Sequence, residues 1–169
     1  MKVIPANRIL GIACALCLGA PPAMPVRAGS VSNLTQVTSY TNLYDAINAA
    51  NAGDTLRVIG TLTLTNTLAS WPGLNKTSLI LEGVNTNSSI LIAQNAASVG
   101  ALIITATNVT IRNLQIQYTQ VSGTEYLIYV QSGDAKIKNN ILRGVYDMGP
   151  SGGGFGIFIN LAGRSITNV

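Results

Sequence analysis

The sequence predicts an all-β solenoid that begins with one short α-helix, and two observations carry that expectation. From residue 54 onward, short β-prone runs alternate with Gly, Asn, Ser and Thr turns. Within this stretch one pattern returns in register: an apolar residue, a second one seven positions later, and an Asn two beyond that. The copies run Leu102–Asn113, Ile128–Asn139 and Ile157–Asn168, with apolar pairs Ile104/Ile111, Val130/Ile137 and Ile159/Ile166. A weaker copy places Leu74, Leu81 and Gly83 in the same way. Strands this short would suit a sandwich or a propeller as well; the internal repetition selects the solenoid. Spacing is fixed inside the pattern and varies between copies (Leu81, Ile111, Ile137, Ile166), which places insertions at one corner of the coil.

Taken in order, the elements begin with residues 1–28. A basic start (Lys2, Arg8), an apolar run Ile9–Ala20 and a small-residue exit at Ala28 have the form of a secretory signal cleaved after Ala28. The apolar run is too short to cross a bilayer. Residues 29–40 are polar and β-branched, an irregular lead-in. Leu43, Ala46, Ile47 and Ala50 then fall on one helical face, with Thr41 as the expected cap, Asp45 suited to the dipole and Gly53 as the stop. The solenoid occupies 41–169, and because its repeat breaks off at Asn168-Val169 it is expected to be the N-terminal portion of a longer coil series.

Each coil needs a sharp corner between short strands. Glycine enters the left-handed region freely and Asn tolerates it best among the rest. Gly83, Asn113, Asn139 and Asn168 are therefore expected to form one left-handed corner column. Alternation points Leu102, Ile104, Ile128, Val130, Ile157 and Ile159 inward on one sheet and Ile111, Ile137 and Ile166 inward on the next. Outward columns are Ile103, Tyr129 and Phe158 on the first sheet and Glu82, Arg112, Lys138 and Thr167 on the second. Glu82 beside Arg112 reads as a surface pair contributing under ~1 kcal/mol.

Composition removes several function classes. The chain has no histidine, which excludes a Ser-His-Asp triad, a histidine proton shuttle and a His-ligated zinc site. Both cysteines, Cys14 and Cys17, lie in the signal, so the exported portion needs no disulfide. Beyond residue 28, seven Lys and Arg face six Asp and Glu, a balance of +1, so the basic pI of the whole chain is no argument for nucleic acid. No segment beyond the signal is long and apolar enough for a membrane span. The exported chain is expected outside the cell or in the periplasm.

Four segments resemble the right-handed parallel β-helix family of pectate lyases and related polysaccharide lyases. Leu43–Leu56 is similar to that family's N-terminal cap and first strand, and Leu79–Asn85 to its first full coil. Asn108–Ile116 (NVTIRNLQI) resembles its Asn-Val-x-Ile-Arg-Asn-Leu-x-Ile run, and Ile137–Ile141 (IKNNI) a widespread coil pattern. The resemblance implies a right-handed parallel β-helix acting on or binding a pectin-like or other uronic acid polymer. In active members a calcium ion neutralises the uronate carboxylate while Arg or Lys removes a proton. The family's Asp-His-Cys stretch would fall near Ile137–Asn140, where this chain has Ile-Lys-Asn-Asn, so calcium and catalytic positions do not carry over. Two corner loops remain, Gln117–Glu125 and Arg143–Phe155, both flanking the sheet that holds Tyr129 and Phe158. Arg143 and Asp147 are the catalytic candidates; Glu125, Tyr129, Tyr146 and Phe158 are the substrate-binding candidates. The alternative function is a non-catalytic β-solenoid for glycan binding or cell-surface adhesion.

Overall fold

A computed structural model describes residues 28–65, 73–94, 101–118, 125–131, 134–144 and 154–159. The proposed signal, up to residue 27, lies outside the described residues. The lead-in is ordered: β1 (Ser30–Asn33) and β2 (Thr38–Tyr40) form an antiparallel hairpin. The helix α1 spans Leu43–Ala49. The strands that follow are β3 (Thr55–Thr65), β4 (Gly73–Leu74), β5 (Ile80–Gly83), β6 (Ser89–Gln94), β7 (Leu102–Ile104), β8 (Val109–Arg112), β9 (Gln115–Tyr118), β10 (Glu125–Val130), β11 (Ala135–Lys138), β12 (Ile141–Arg143) and β13 (Gly154–Ile159).

Among β3–β13 the described pairings are all parallel, and each strand pairs with the one three places later, β3 also with β5. One stack runs β3–β5–β8–β11 and a second β3–β6–β9–β12. The third runs β4–β7–β10–β13. β3 serves two stacks because it bends at Gly60, which takes a φ of 78°. The chain therefore passes from first stack to second to third and repeats, a β-rich, solenoid-like fold with parallel sheets.

Strict register lays apolar residues over apolar residues. Leu56, Leu81, Ile111 and Ile137 form one inner column, all buried. Leu62, Leu91 and Ile116 form another, and Leu74, Ile104 and Val130 a third. The inward pattern read from the repeat holds for Leu102, Ile104, Ile128, Val130, Ile111 and Ile137. In the last described coil it weakens: Ile157 is half-buried and Ile159 is 42% exposed, because no described rung covers them. Ile166 lies outside the described residues.

The first rung has no preceding coil, and here the sequence reading needs correction. Residues 29–40 are no irregular lead-in; β1 lies antiparallel on the first half of β3, Val31 opposite Val58, and supplies the missing neighbour. The helix follows the predicted face, with Leu43, Ala46, Ile47 and Ala50 all buried. Its cap is Asn42, one residue after the expected Thr41, with the Asn42 side chain accepting from the Asp45 N–H at 2.8 Å. It ends at Ala49 with Ala50 already extended, before Gly53 is reached.

Asp54 locks this cap to the first coil. It is 3% exposed and in register with Leu79, Val109 and Ala135, an otherwise apolar inner position. Its Oδ2 accepts from Asn33 Nδ2 at 2.8 Å, Gln36 Nε2 at 2.6 Å and the Asn51 N–H at 2.8 Å. Asn33 Oδ1 in turn accepts the N–H groups of Thr35 and Gln36, closing the hairpin turn. The hydrogen bond from Asn33 and that from the Asn51 backbone lower the Asp54 pKa below its ordinary value; burial works against them, and Gln36 and Thr35 add to them.

Two corner columns flank the first stack. Asn113 (φ 57°) and Asn139 (φ 51°) are left-handed and in register, as expected. Gly83 shares their register but does not take a positive φ, so its reason differs. A Cβ there would collide with the Asn113 carbonyl oxygen and lie 2.6 Å from Ser89 Cβ. The turn after Gly83 spans 84–88, where the later coils use only 113–114 and 139–140, so inserted length is not confined to one corner. Asn168 lies outside the described residues. At this corner the amide that reaches the preceding coil is that of Asn140, which donates to Ile111 O at 3.0 Å and accepts from the Leu114 N–H at 3.0 Å. A second left-handed column, Gly53 (φ 82°), Ser78 (φ 60°) and Asn108 (φ 56°), leads into the same stack in register.

Gly83→Ala is expected to destabilise by about 1–3 kcal/mol through overpacking, whereas Asn139→Gly, which keeps the left-handed corner, should stay within ~1 kcal/mol; urea unfolding midpoints measure both. A carboxyl whose folded pKa is depressed stabilises fully above its ordinary titration range and loses that contribution as acid protonates the folded form. Stability should therefore decline below about pH 4, and Asp54→Asn should make that acid limb shallower while lowering stability at neutral pH. Thermal melts across pH for both proteins check this.

Candidate functional site

The third stack carries the aromatic candidates. Gly73, Ile103, Tyr129 and Phe158 occupy one register column across β4, β7, β10 and β13. Ile103 and Tyr129 are half-buried. The Tyr129 ring lies 5.7 Å from that of Tyr126 at a tilt of 34°. Tyr118, buried at the end of β9, donates its hydroxyl to the Tyr126 carbonyl at 2.6 Å, and the Ala101 N–H donates to the same oxygen at 2.7 Å. The strand bearing Tyr129 is thus held from the neighbouring stack and from the coil before it.

The other candidates divide. Glu125 opens β10 opposite Gly154, and Phe158 lies opposite Tyr129; only their backbone positions are described. Tyr146 and Asp147 lie outside the described residues. Arg143 is exposed and ends β12, so it belongs to the second stack, in register with Gln117, Ile92 and Thr63. It stands where the chain leaves that stack for β13. The segments making this same step, 66–72, 95–101, 119–124 and 144–153, include the longest joins between coils. Most of both loops singled out in the sequence, 119–124 and 145–153, lies outside the described residues.

A second constellation lies on the first stack. Arg57, Glu82, Arg112 and Lys138 form one outward column in register. Glu82 is no surface partner of Arg112 alone. Arg57 donates Nε to Oε1 at 2.8 Å and Arg112 donates Nε to Oε2 at 2.9 Å, each adding a contact from Nη2. The two guanidinium side chains are 41% and 44% exposed and leave that of Glu82 only 5% exposed. Burial pushes the Glu82 pKa up, and the hydrogen bonds and charges of Arg112 and Arg57 outweigh it, leaving the pKa lowered. Sequence reading found Glu82 and Arg112 but missed Arg57. Carrying the repeat back one coil would have found it, since Leu56 precedes Arg57 as Leu81 precedes Glu82.

These carboxylates bear on the calcium expectation. Among the described residues no three Asp, Glu, Cys or His side chains come together as a metal site. Asp54 Oδ2 and both Glu82 oxygens are taken by donors of the chain itself. The described residues therefore do not fit a calcium cage, which needs several converging hard oxygens. No protein-family model matches the chain, and no curated protein or solved structure matches it.

Glu82→Gln should cost about 1–3 kcal/mol, because an amide nitrogen replaces one acceptor and faces an arginine. A chemical denaturation curve measures the loss, and an unchanged midpoint would show the triad to be idle.

Proposed function

We propose that this chain is a pectate lyase-like right-handed parallel β-helix, exported from the cell, that binds an acidic polysaccharide across the outer face of β4, β7, β10 and β13. The observation that carries the reading is the register column Ile103–Tyr129–Phe158, in which half-buried Tyr129 lies with its ring beside that of Tyr126. A sugar ring offers an apolar face to stack on such a surface, and its hydroxyls find polar groups at the rim. Exposed Arg143, where the chain leaves the second stack for β13, supplies the rim. Loops positioned by a rigid scaffold are where binding groups concentrate. The repeat, the cap and the Asn108–Ile116 run support the ancestry.

Binding is the function these residues support. Elimination would need in addition a base and a group to neutralise the uronate, and the described carboxylates are committed elsewhere or stand alone. Titration calorimetry with polygalacturonate is expected to show saturable binding, weakened about tenfold by Tyr129→Ala. Equal affinity in the two proteins would overturn this placement of the site. Unsaturated-uronate absorbance appearing with the purified chain would replace binding by lyase activity.

A further inference from the structure

Charge on the described residues is not spread evenly around the coil. Described cations beyond the signal are Arg57, Lys76, Arg112, Lys136, Lys138 and Arg143. Four of them, Arg57, Arg112, Lys136 and Lys138, project from the outer face of β3, β5, β8 and β11. The acid on that face is Glu82, and its charge is covered. Four cations against one acid leave this face at +3, while the chain beyond the signal carries only +1. Asp134 is exposed beside the face, one residue before β11, and counting it still leaves +2.

The geometry of these cations is fixed. Each arginine spends two N–H groups on Glu82, which leaves three of its five donors. Glu82 thus holds two guanidiniums, one coil apart on either side of it, in set positions. Lys138 continues the column, and Lys136 stands on the adjacent outward column beside Thr110. Lys136 Nζ donates to Asn108 Oδ1 at 3.2 Å, which restrains it over the sheet with two donors free. Neighbouring rungs lie about 4.8 Å apart, so the charges form a short row running across the strands.

We propose that this basic face is a second binding surface, on which a carboxylate-bearing polysaccharide lies across the coils with its charges on Arg57, Arg112, Lys136 and Lys138. The proposal rests on the reading of an acidic polysaccharide ligand and adds a face on another side of the coil from the aromatic column. Charge complementarity selects the occupant, and prealigned guanidiniums suit planar carboxylates better than isolated charges. A linear polymer with one carboxylate per repeat can match a row of cations fixed by the rung spacing.

The test is binding of polygalacturonate to the whole chain and to Lys136→Gln/Lys138→Gln, both positions exposed and free of core contacts. Affinity should fall about tenfold in the double variant, and wild-type affinity should decline steeply with added salt. Fully methyl-esterified polygalacturonate should lose binding to a similar degree. Unchanged affinity in the double variant overturns the proposal, as does equal binding of the esterified polymer or of single-stranded DNA. If Tyr129→Ala weakens binding and the lysine variant does not, the second face falls and the aromatic site stands. Absence of any polygalacturonate binding removes both.

Discussion

A strand in this chain has its backbone partners one coil behind and one coil ahead, and that requirement governs everything else. Parallel pairing at the rung spacing forces each side chain to sit on its equivalent in the next coil. Leu81 must tolerate Leu56 below it and Ile111 above. Columns of like residues follow, and so do corners that recur at the same register. The first rung alone has no coil behind it. An open edge of that kind invites pairing with other chains. Here β1 satisfies it by running antiparallel to β3, and α1 places Leu43, Ala46 and Ile47 against the same end of the core.

The rule that favours leucine over leucine penalises charge over charge. Arg57 and Arg112 would repel if they were adjacent, and Glu82 stands between them. The alternation holds for three rungs and then stops, because Lys138 follows Arg112 directly. The outer face therefore keeps an excess of positive charge at one end. Asp54 shows the inner counterpart. A carboxylate in an apolar column would be costly alone, and Asn33, Gln36 and Asn51 turn it into the fastening of the cap.

How much of this was legible in the sequence depended on how many coils shared a feature. The apolar pairs Ile104/Ile111 and Val130/Ile137 repeat, so their inward direction was readable, and so were the left-handed Asn113 and Asn139. The hairpin occurs once. Of its residues only Val31 is a buried hydrophobic, and Ser30, Ser32 and Ser39 give no alternating signal, so strand pairing there was invisible. Gly83 misled because its register matched the asparagines while its need was space. Ser78 was overlooked as a corner because serine gives no left-handed signal, although Asn108 one coil later does. The shared register of Ile103, Tyr129 and Phe158 was legible from the repeat. Placing Arg143 was not, because loop and strand end read alike there until β12 was paired with β9.

The commitments of the carboxylates decide which chemistry the described face can support. Asp54 is spent on the cap and Glu82 on the arginines, and both are held ionised by those partners rather than poised to exchange a proton. Asp45 sits in the first turn of the helix, where its N–H donates to the Asn42 cap, and Asp134 is exposed just before β11. A proton-transferring pair needs two groups whose surroundings drive their pKa values apart while both face a substrate. Nothing of that form arises among the described residues, where Glu82 meets arginines of the neighbouring coils and Asp54 meets donors of the cap. What the same architecture does well is repeat a register: Ile103, Tyr129 and Phe158 on one sheet, Arg57, Glu82, Arg112 and Lys138 on another, each at the spacing of the rungs. A repeating polymer is the ligand for which such surfaces gain with length, because each further unit meets an equivalent group without any new loop having to be built.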